Sequence, residues 1–429
     1  MSDPLLGRTA AHPLRLDGPL IEAALRHAVV GELCEIRRHW RDEQACARAQ
    51  VIGFRGDTVL LSLLGQAQGL SRESLIVPTG ARLTLHCSRQ MLGSVVDARG
   101  RIVEQLAPLV AEHGRDCLVD ATPLDYRQRK PIAQVLPTGI RVVDALLTCG
   151  VGQRIGIFAA AGAGKTSLMN MLIEHAQADV FVIGLVGERG REVTEFIEHL
   201  RASPQRGRCV VVYATSDLSS VDRCNAALQA TTIAEYFRDE GARVVLMLDS
   251  MTRYARARRD LALAAGEAPA RRGYPASVFD ALPKMLERPG NTATGSITAF
   301  YTVLLESDDD PDPIAEEIRS ILDGHIYLDR KLAARGHYPA IDVLRSASRV
   351  AAQVTAPAAH ALASRARDVL GRLQDLQLFI DLGEYRPGEN PANDHAMQCR
   401  TALEQWQRQA LDDGTKFERA LEALHEILQ

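Results

Sequence analysis

The sequence predicts an α/β fold built around a parallel sheet, with a small β-barrel before it and a helical domain after it. Five apolar runs lie between residues 154 and 304, separated mostly by helical stretches. They lack polar alternation, as expected for a parallel sheet covered on both faces. Before them, short β-like runs are broken by tight turns, which is typical of a small barrel. After about residue 355 the β-like runs stop, and Pro357 opens a helical pattern.

The 429 residues are enough for two or three domains with a real core. We expect a small barrel-like domain over residues 1–85, an α/β domain over 86–355 and a helical domain over 356–429.

Within the barrel region, runs 49–54 and 58–64 read as two strands around an Arg-Gly-Asp turn. The five predicted sheet strands are 154–158, 180–186, 209–213, 244–248 and 296–304. In the last domain, helical periodicity covers 358–378 and 395–428, with a loop over 383–393.

Bulk properties exclude several classes of protein. A net charge of −4 gives no reason to expect nucleic-acid binding. No window approaches eighteen uninterrupted apolar residues, so no membrane span is expected, and residues 1–4 lack a signal-peptide pattern. The eight cysteines form no metal-ligand spacing and are interpreted as free thiols in a reducing cytosol. The acidic run 306–312 is predicted to be a solvated loop.

A phosphate-binding loop is the strongest chemical signal. A strand enters a small-residue loop, and Gly164-Lys165-Thr166 opens a helix. In such a loop backbone N–H groups wrap phosphates, Lys165 reaches the terminal phosphates and Thr166 holds Mg²⁺. The pattern usually begins with Gly, whereas this chain has Ala159 and then Ala160. The alternative is a simple turn before a helix. The residues expected to bind the nucleotide here are Ala161, Gly162, Ala163, Gly164, Lys165, Thr166 and Ser167.

Two acidic residues end the second and the fourth predicted strand. Asp249 would hold the hydration shell of Mg²⁺ while Thr166 binds the metal directly; the alternative is a helix cap. Glu188 could orient or deprotonate the attacking water. Arg189 and Arg191 beside it could neutralise charge on the transferring group, although the segment could also be a solvated loop.

Other arginines are less informative. The cluster of Arg253, Arg256, Arg258 and Arg259 has no interleaved aromatic residues, so it is a weak nucleic-acid signal, and we interpret it as a subunit contact. Nothing local distinguishes Arg349 from a surface or salt-bridge arginine.

Five motifs in order carry a family resemblance from about residue 90 to the end. They are the phosphate loop, GERGRE (187–192), LDSMTRYA (248–255), RRGYPASVF (271–279) and GHYPAID (336–342). Together they resemble the type III secretion ATPases, relatives of the catalytic subunit of rotary ATP synthases. The loop spelling FAAAGAGKT (158–166) and the run LFIDLGEYRPGEN (378–390) look like the virulence injectisome branch rather than the flagellar one.

The resemblance implies a RecA-like P-loop ATPase core and assigns roles. Lys165 and Thr166 bind phosphates and Mg²⁺, Glu188 is the catalytic carboxylate, and Asp249 is the second acid. It also implies that Arg189 and Arg191 lie near the γ-phosphate.

Two further roles follow from the resemblance alone. Tyr338 matches the tyrosine that stacks on adenine. Arg349 matches an arginine finger that reaches the neighbouring subunit's site, which makes activity depend on assembly. Family members work as homohexamers, with segment 274–279 lining the central pore.

The implied function is an ATP-hydrolysing motor that releases chaperones from export substrates and unfolds them at the entrance of a secretion channel. Implied partners are stator and central-stalk proteins and chaperone–effector complexes, with no nucleic acid. The implied location is cytoplasmic and peripheral to the inner membrane, with membrane contact only through partners.

Three alternatives stay open at this point. A rotary synthase catalytic subunit is disfavoured by segment 383–390 and the short C-terminal domain. A non-catalytic rotary subunit should lack the carboxylate of Glu188. A hexameric RNA helicase would be expected to carry a basic or aromatic barrel, which the acidic balance and sparse aromatic residues disfavour.

Overall fold

The computed structural model describes residues 10–65, 67–109, 114–306 and 312–429. Residues 1–4, considered above as a possible signal, and residues 307–311 of the acidic run lie outside the described residues.

An antiparallel barrel forms the N-terminal region, as predicted. Its strands follow one another in the order β1-β2-β5-β4-β3-β6. Backbone hydrogen bonds between Ala11 and Ile76, of 3.0 and 2.8 Å, join the chain just before β1 to β6. This pairing closes the ring, so neither edge strand is left open. The strands are β1 (Pro13–Asp17), β2 (Leu20–Ala23), β3 (Glu32–Arg37), β4 (Ala47–Arg55), β5 (Thr58–Leu64) and β6 (Leu75–Arg82).

Four short strands connect the barrel to the central sheet. They are β7 (Thr84–Cys87), β8 (Ser94–Asp97), β9 (Ile102–Gln105) and β10 (Arg115–Leu118). The first and last pair with each other, while β8 joins the edge of the central sheet and pairs with β9.

The central sheet is mainly parallel and contains the five predicted strands side by side. Its order is β18-β17-β11-β16-β14-β12-β13-β8-β9, with β15 paired to β16. The pairs from β17 across to β8 are parallel, whereas β18, β9 and β15 pair antiparallel. The remaining strands are β11 (Arg154–Ala159), β12 (Val180–Glu188), β13 (Cys209–Thr215), β14 (Arg243–Asp249), β15 (Gly290–Asn291), β16 (Ser296–Leu304), β17 (Gly324–Leu328) and β18 (Ile341–Ser348).

Helices cover both faces of this sheet and explain the uninterrupted apolar strands. Successive residues of β12 belong to opposite cores: Phe181 and Ile183 face one, Val180 and Val182 the other. Because both faces are buried, both sets must be apolar. The covering helices are α1 (Arg141–Leu146), α2 (Lys165–His175), α3 (Gly190–Ala202), α4 (Ser220–Asp239), α5 (Met251–Ala264), α6 (Ala276–Leu286), α7 (Pro313–Ile321), α8 (Arg330–Ala334) and α9 (Ala351–Val354).

Three helices form the C-terminal region: α10 (Pro357–Asp381), α11 (Pro391–Gln407) and α12 (Phe417–Ile427). They share one apolar core with α1 and α2, to which Leu403, Trp406 and Leu424 contribute. The prediction of one helical stretch over 395–428 was wrong, because the chain leaves the helix after Gln407. Residues 408–416 instead form a linker whose backbone groups bond to the nucleotide domain. No helix in the described ranges is long and apolar enough to cross a membrane.

Candidate functional site

The phosphate loop lies between β11 and α2, at the carboxyl edge of the sheet. Gly162 and Gly164 adopt φ values of +78° and +88°, a left-handed conformation that favours glycine. A Cβ on Gly164 would lie 2.8 Å from Cε1 of Tyr338. The loop therefore requires glycine at position 164 for two reasons, its backbone conformation and the close approach of the ring.

A cavity of about 430 Å³ opens beside this loop. Of the predicted nucleotide-binding residues, Ala163 is buried beneath the loop and does not line the cavity. Ala160 does line it, next to Ala161. Other predicted residues on the cavity wall are Ala161, Gly162, Gly164, Lys165, Thr166, Ser167, Glu188, Arg189, Asp249 and Tyr338.

Three predicted residues meet at the floor of the cavity. The ammonium Nζ of Lys165 donates to Oδ1 of Asp249 at 2.6 Å and to Oε1 of Glu188 at 3.1 Å. Both carboxylates are 4% exposed. They meet because β12 and β14 are adjacent parallel strands that end at the same edge.

Burial disfavours the charged form of Lys165 and would lower its pKa. The charges and hydrogen bonds of Asp249 and Glu188 have the larger effect, so the pKa of the ammonium is raised. The lysine is thus held as a cation at the place where phosphates would bind.

Arg253 is a site residue that the sequence analysis assigned to a subunit contact. It lines the cavity, and its guanidinium forms an ion pair with Oε1 of Glu188. Burial would raise the pKa of Glu188, but hydrogen bonds with Glu192 and Arg253 and the charge of Lys165 lower it to about 2. Glu188 is therefore a carboxylate at physiological pH. The available signal was closeness in sequence, because Arg253 is the third residue of α5, the helix that begins two residues after Asp249.

Thr302 is a second residue that sequence reasoning missed. It lies within β16, between β11 and β14, and its hydroxyl donates to Oδ1 of Asp249 at 2.7 Å. A threonine inside an apolar strand gives no local signal of function.

The donor set fits a nucleotide bound with Mg²⁺. Glu188 lines the cavity, and its buried Oε2 has no hydrogen-bond partner within the described chain, whereas Oε1 is shared by Lys165 and Arg253. The described residues contain no cluster of three or more His, Cys, Asp or Glu side chains suited to a metal. Mg²⁺ suits such a site, because it usually takes one or two protein oxygens together with substrate phosphates and water.

Tyr338 lies at the other end of the cavity and is 38% exposed. A second pocket beyond it is lined by Ser167, Met171 and residues 408–411 of the linker. The tyrosine ring therefore separates the phosphate end of the site from a pocket that the C-terminal region helps to build.

Comparisons with known proteins match every part of the chain. The β-barrel domain of the ATP synthase alpha/beta family matches residues 15–80, and its nucleotide-binding domain matches 139–348. The T3SS EscN ATPase C-terminal domain matches 355–426. The SPI-1 type 3 secretion system ATPase of Salmonella typhi is 59% identical over 425 residues, which cover 99% of each chain.

The chain belongs to the type 3 secretion system ATPases.

Solved structures of this family have the same fold. The assembled ATPase EscN of enteropathogenic E. coli superposes with a TM-score of 0.89 at 40% identity, covering 98% of this chain and 100% of that one. EscN in complex with its central stalk EscO gives a TM-score of 0.87 at 40% identity, with the same coverage.

The family assignment confirms the resemblance inferred from the motifs, and with it the fold and the activity: this type 3 secretion ATPase hydrolyses ATP. The three alternative functions are not supported, since the C-terminal region matches the secretion ATPases.

The remaining arginines of this secretion ATPase differ in position. Arg189 lies on the cavity wall, largely exposed, 3.7 Å from Glu192. Arg191 is exposed on α3, 3.4 Å from Glu195, and is not part of the cavity wall formed by the described residues. A role for Arg191 near the γ-phosphate stays a prediction.

Arg349 follows the last residue of β18 and is exposed outside the cavity. Its backbone N–H donates to the carbonyl of Asp323 at 2.9 Å, which fixes the chain at this point. Within one subunit Arg349 takes no part in the site, so a catalytic role requires a second copy.

Proposed function

We propose that the cavity binds ATP with Mg²⁺ and hydrolyses it, and that hydrolysis drives protein secretion. The observation that supports this most directly is the meeting of Lys165, Glu188 and Asp249 beside the phosphate loop. A cation for phosphates, a carboxylate for water and a carboxylate for the metal shell are the parts that phosphoryl transfer needs.

Phosphates are held by the loop and the start of α2. Backbone N–H groups of Ala161, Gly162 and Gly164 surround them, and the positive end of α2 faces the same charge. Lys165 turns from the two carboxylates toward the terminal phosphates. In the absence of nucleotide, those carboxylates keep the lysine charged and close to its working position.

Thr166 and Asp249 would hold Mg²⁺, Thr166 as a direct ligand and Asp249 through the hydration shell. When bound, the ion would neutralise charge that develops on the phosphate oxygens. Thr302 donates a hydrogen bond from β16 to Oδ1 of Asp249 and fixes that carboxylate beside the phosphate loop.

Glu188 orients and activates the attacking water. Arg253 holds Oε1, which leaves Oε2 to face the water. Arg189, on the cavity wall, and Arg191 carry positive charge toward the transferring group.

The adenine base of ATP lies against Tyr338, in the pocket formed with Met171 and the linker. Arg349 completes the site of the neighbouring subunit in a homohexamer. An arginine supplied in trans typically raises the rate about 10³–10⁵-fold, so an isolated subunit would turn over slowly.

In the cell, hydrolysis releases chaperones from export substrates and unfolds those substrates at the cytoplasmic entrance of the apparatus. EscN was solved with its central stalk EscO, which supports a central-stalk partner for this chain. We propose a stator partner and chaperone–effector complexes as well, no nucleic acid, and contact with the inner membrane only through partners.

A release assay tests the proposed function. A labelled chaperone–effector complex is mixed with the assembled enzyme, and dissociation is followed with and without ATP. We expect release with ATP, none with a non-hydrolysable analogue, and none with Glu188→Gln, which should bind ATP but lose about 10²–10⁴-fold in turnover. The matched control is Glu195→Gln, an exposed glutamate on α3. Release by Glu188→Gln at the wild-type rate would refute the coupling to hydrolysis.

A further inference from the structure

The linker 408–416 between α11 and α12 is fastened to the nucleotide domain by one arginine. Arg141, the first residue of α1, donates from Nε to the carbonyl of Trp406 at 3.0 Å and from Nη2 to the carbonyl of Arg408 at 2.5 Å. Its Nη1 lies 3.0 Å from Oδ2 of Asp413. One side chain thus holds both ends of the linker.

Gln409 lies inside the linker and connects it to the site. It is 4% exposed. Its Oε1 accepts from the backbone N–H of Arg141 at 2.9 Å, and its Nε2 donates to the carbonyl of Gly139 at 2.7 Å and to the carbonyl of Asp413. Its backbone N–H donates to the carbonyl of Tyr338 at 2.8 Å. The amide is therefore occupied by protein partners and is not available to contact a ligand.

The linker also reaches the far end of the phosphate-loop helix. Nε2 of His175, the last residue of α2, lies 2.8 Å from the carbonyl oxygen of Leu411. Residues 408–411 and Tyr338 together line the pocket beyond the tyrosine ring. Movement of the linker would thus change the shape of that pocket while leaving Lys165 and the two carboxylates in place.

We infer that Gln409 is a positioning residue for the part of the nucleotide site that binds adenine. Its side chain holds the linker against the start of α1, and its backbone N–H holds Tyr338. This inference rests on the proposed binding of ATP with its base against Tyr338. In Gln409→Ala, the Arg141 N–H and the Gly139 carbonyl lose their buried partner, so the linker loosens from α1. The loss should affect the base end of the site and spare the phosphate end.

The test compares ATP with a ligand that has the same three-phosphate chain but no adenine, inorganic tripolyphosphate. Binding of ATP and of inorganic tripolyphosphate, each with Mg²⁺, is measured on full-length protein by calorimetry. In Gln409→Ala we expect the Kd for ATP to rise about tenfold while the Kd for tripolyphosphate changes less than twofold. In steady-state assays of the assembled enzyme, KM for ATP should rise and kcat should stay within about twofold.

Trp406 supplies an independent optical signal. It is buried beside Arg141 and is one of two tryptophans, the other being the exposed Trp40. In a Trp40→Phe background, ATP should change the emission of Trp406 and tripolyphosphate should not, and Gln409→Ala should abolish the ATP response.

The matched control is Gln405→Ala, an exposed glutamine one turn earlier, which should behave as wild type. An equal loss of affinity for both ligands in Gln409→Ala, or an unchanged affinity for both, would overturn the inference. If Gln409→Ala fails to fold, Arg141→Met carries the same comparison, because it removes the side-chain bonds to the linker and keeps Gln409. Failure of wild-type protein to bind ATP would refute the proposed function instead.

Discussion

At the scale of single residues, the site depends on how Glu188 is kept charged. The carboxylate is buried, which would normally raise its pKa, yet Glu192, Arg253 and Lys165 lower it to about 2. These charges keep Glu188 ionised in the nucleotide-free site, so that the carboxylate can accept a hydrogen bond from the attacking water and polarise it.

Arg253→Met tests this electrostatic arrangement. Removing the guanidinium charge raises the pKa of Glu188. Acidification therefore protonates this carboxylate at a higher pH in the variant than in the wild type. We expect the ratio of mutant to wild-type kcat/KM to fall as the pH decreases toward the raised pKa of Glu188 in the variant, because kcat/KM reports ionisation in the free enzyme. Arg256→Met, one turn further along α5 and paired with Glu306, is the control. Parallel pH profiles for Arg253→Met and wild type would contradict the account.

The sequence could predict those residues whose position follows from a motif. Glu188 and Asp249 each end an apolar strand, Lys165 follows the phosphate loop after another such strand, and parallel strands bring their carboxyl ends to one edge. Thr302 could not be predicted, because it lies within a strand and its role depends on β16 inserting between β11 and β14. Gln409 depends on tertiary packing in the same way, whereas the one sequence signal for Arg253 was its closeness to Asp249.

At the scale of elements, the five central strands were predictable and their order was not. Strands buried on both faces share one apolar pattern, which carries no information about neighbours. The four-residue strands β8 and β9 and the antiparallel edge strand β18 gave too little pattern to be recognised. The break at residues 408–416 was missed because its cause, the bonds to Arg141 and His175, lies more than 200 residues away along the chain.

Gly164→Ala tests the fit between the phosphate loop and the tyrosine. A left-handed alanine costs about 1–2 kcal/mol, and its Cβ would displace the Tyr338 ring, 2.8 Å away. We expect ATP affinity to drop at least tenfold by calorimetry, with a normal circular dichroism spectrum.

Gly371→Ala is the matched control for that substitution. Gly371 lies within α10, and a Cβ there meets nothing within 4 Å. Alanine should leave ATP binding unchanged and stabilise the fold by roughly 0.4–1 kcal/mol. Wild-type affinity in Gly164→Ala would show that the loop tolerates a methyl group and that the ring does not confine it.

At the scale of the whole molecule, the central sheet domain and the C-terminal region build one nucleotide site but leave Arg349 outside it. The barrel closes on itself, the sheet carries the chemistry, and the C-terminal helices pack on α1 and reach the base pocket through the linker. Because Arg349 is exposed after β18, the account requires a second subunit to complete each site.

Mixing two inactive variants tests the shared site. Lys165→Ala lacks phosphate binding but keeps Arg349, whereas Arg349→Ala keeps the cavity. Each alone should be inactive, and co-assembled hexamers should regain part of the activity, because some interfaces combine an intact cavity with an intact arginine. Arg345→Ala, a neighbouring exposed arginine of β18, serves as a comparison for Arg349→Ala. Absence of any recovery in verified mixed hexamers would argue against a contribution in trans.

The most direct measurement of the central claim is the ATPase rate per subunit against protein concentration, with molecular mass determined on the same samples. The account predicts that the rate per subunit rises together with the hexamer fraction and that Arg349→Ala shows no such rise although it assembles. A rate per subunit that is constant from monomer to hexamer would contradict a site shared between subunits.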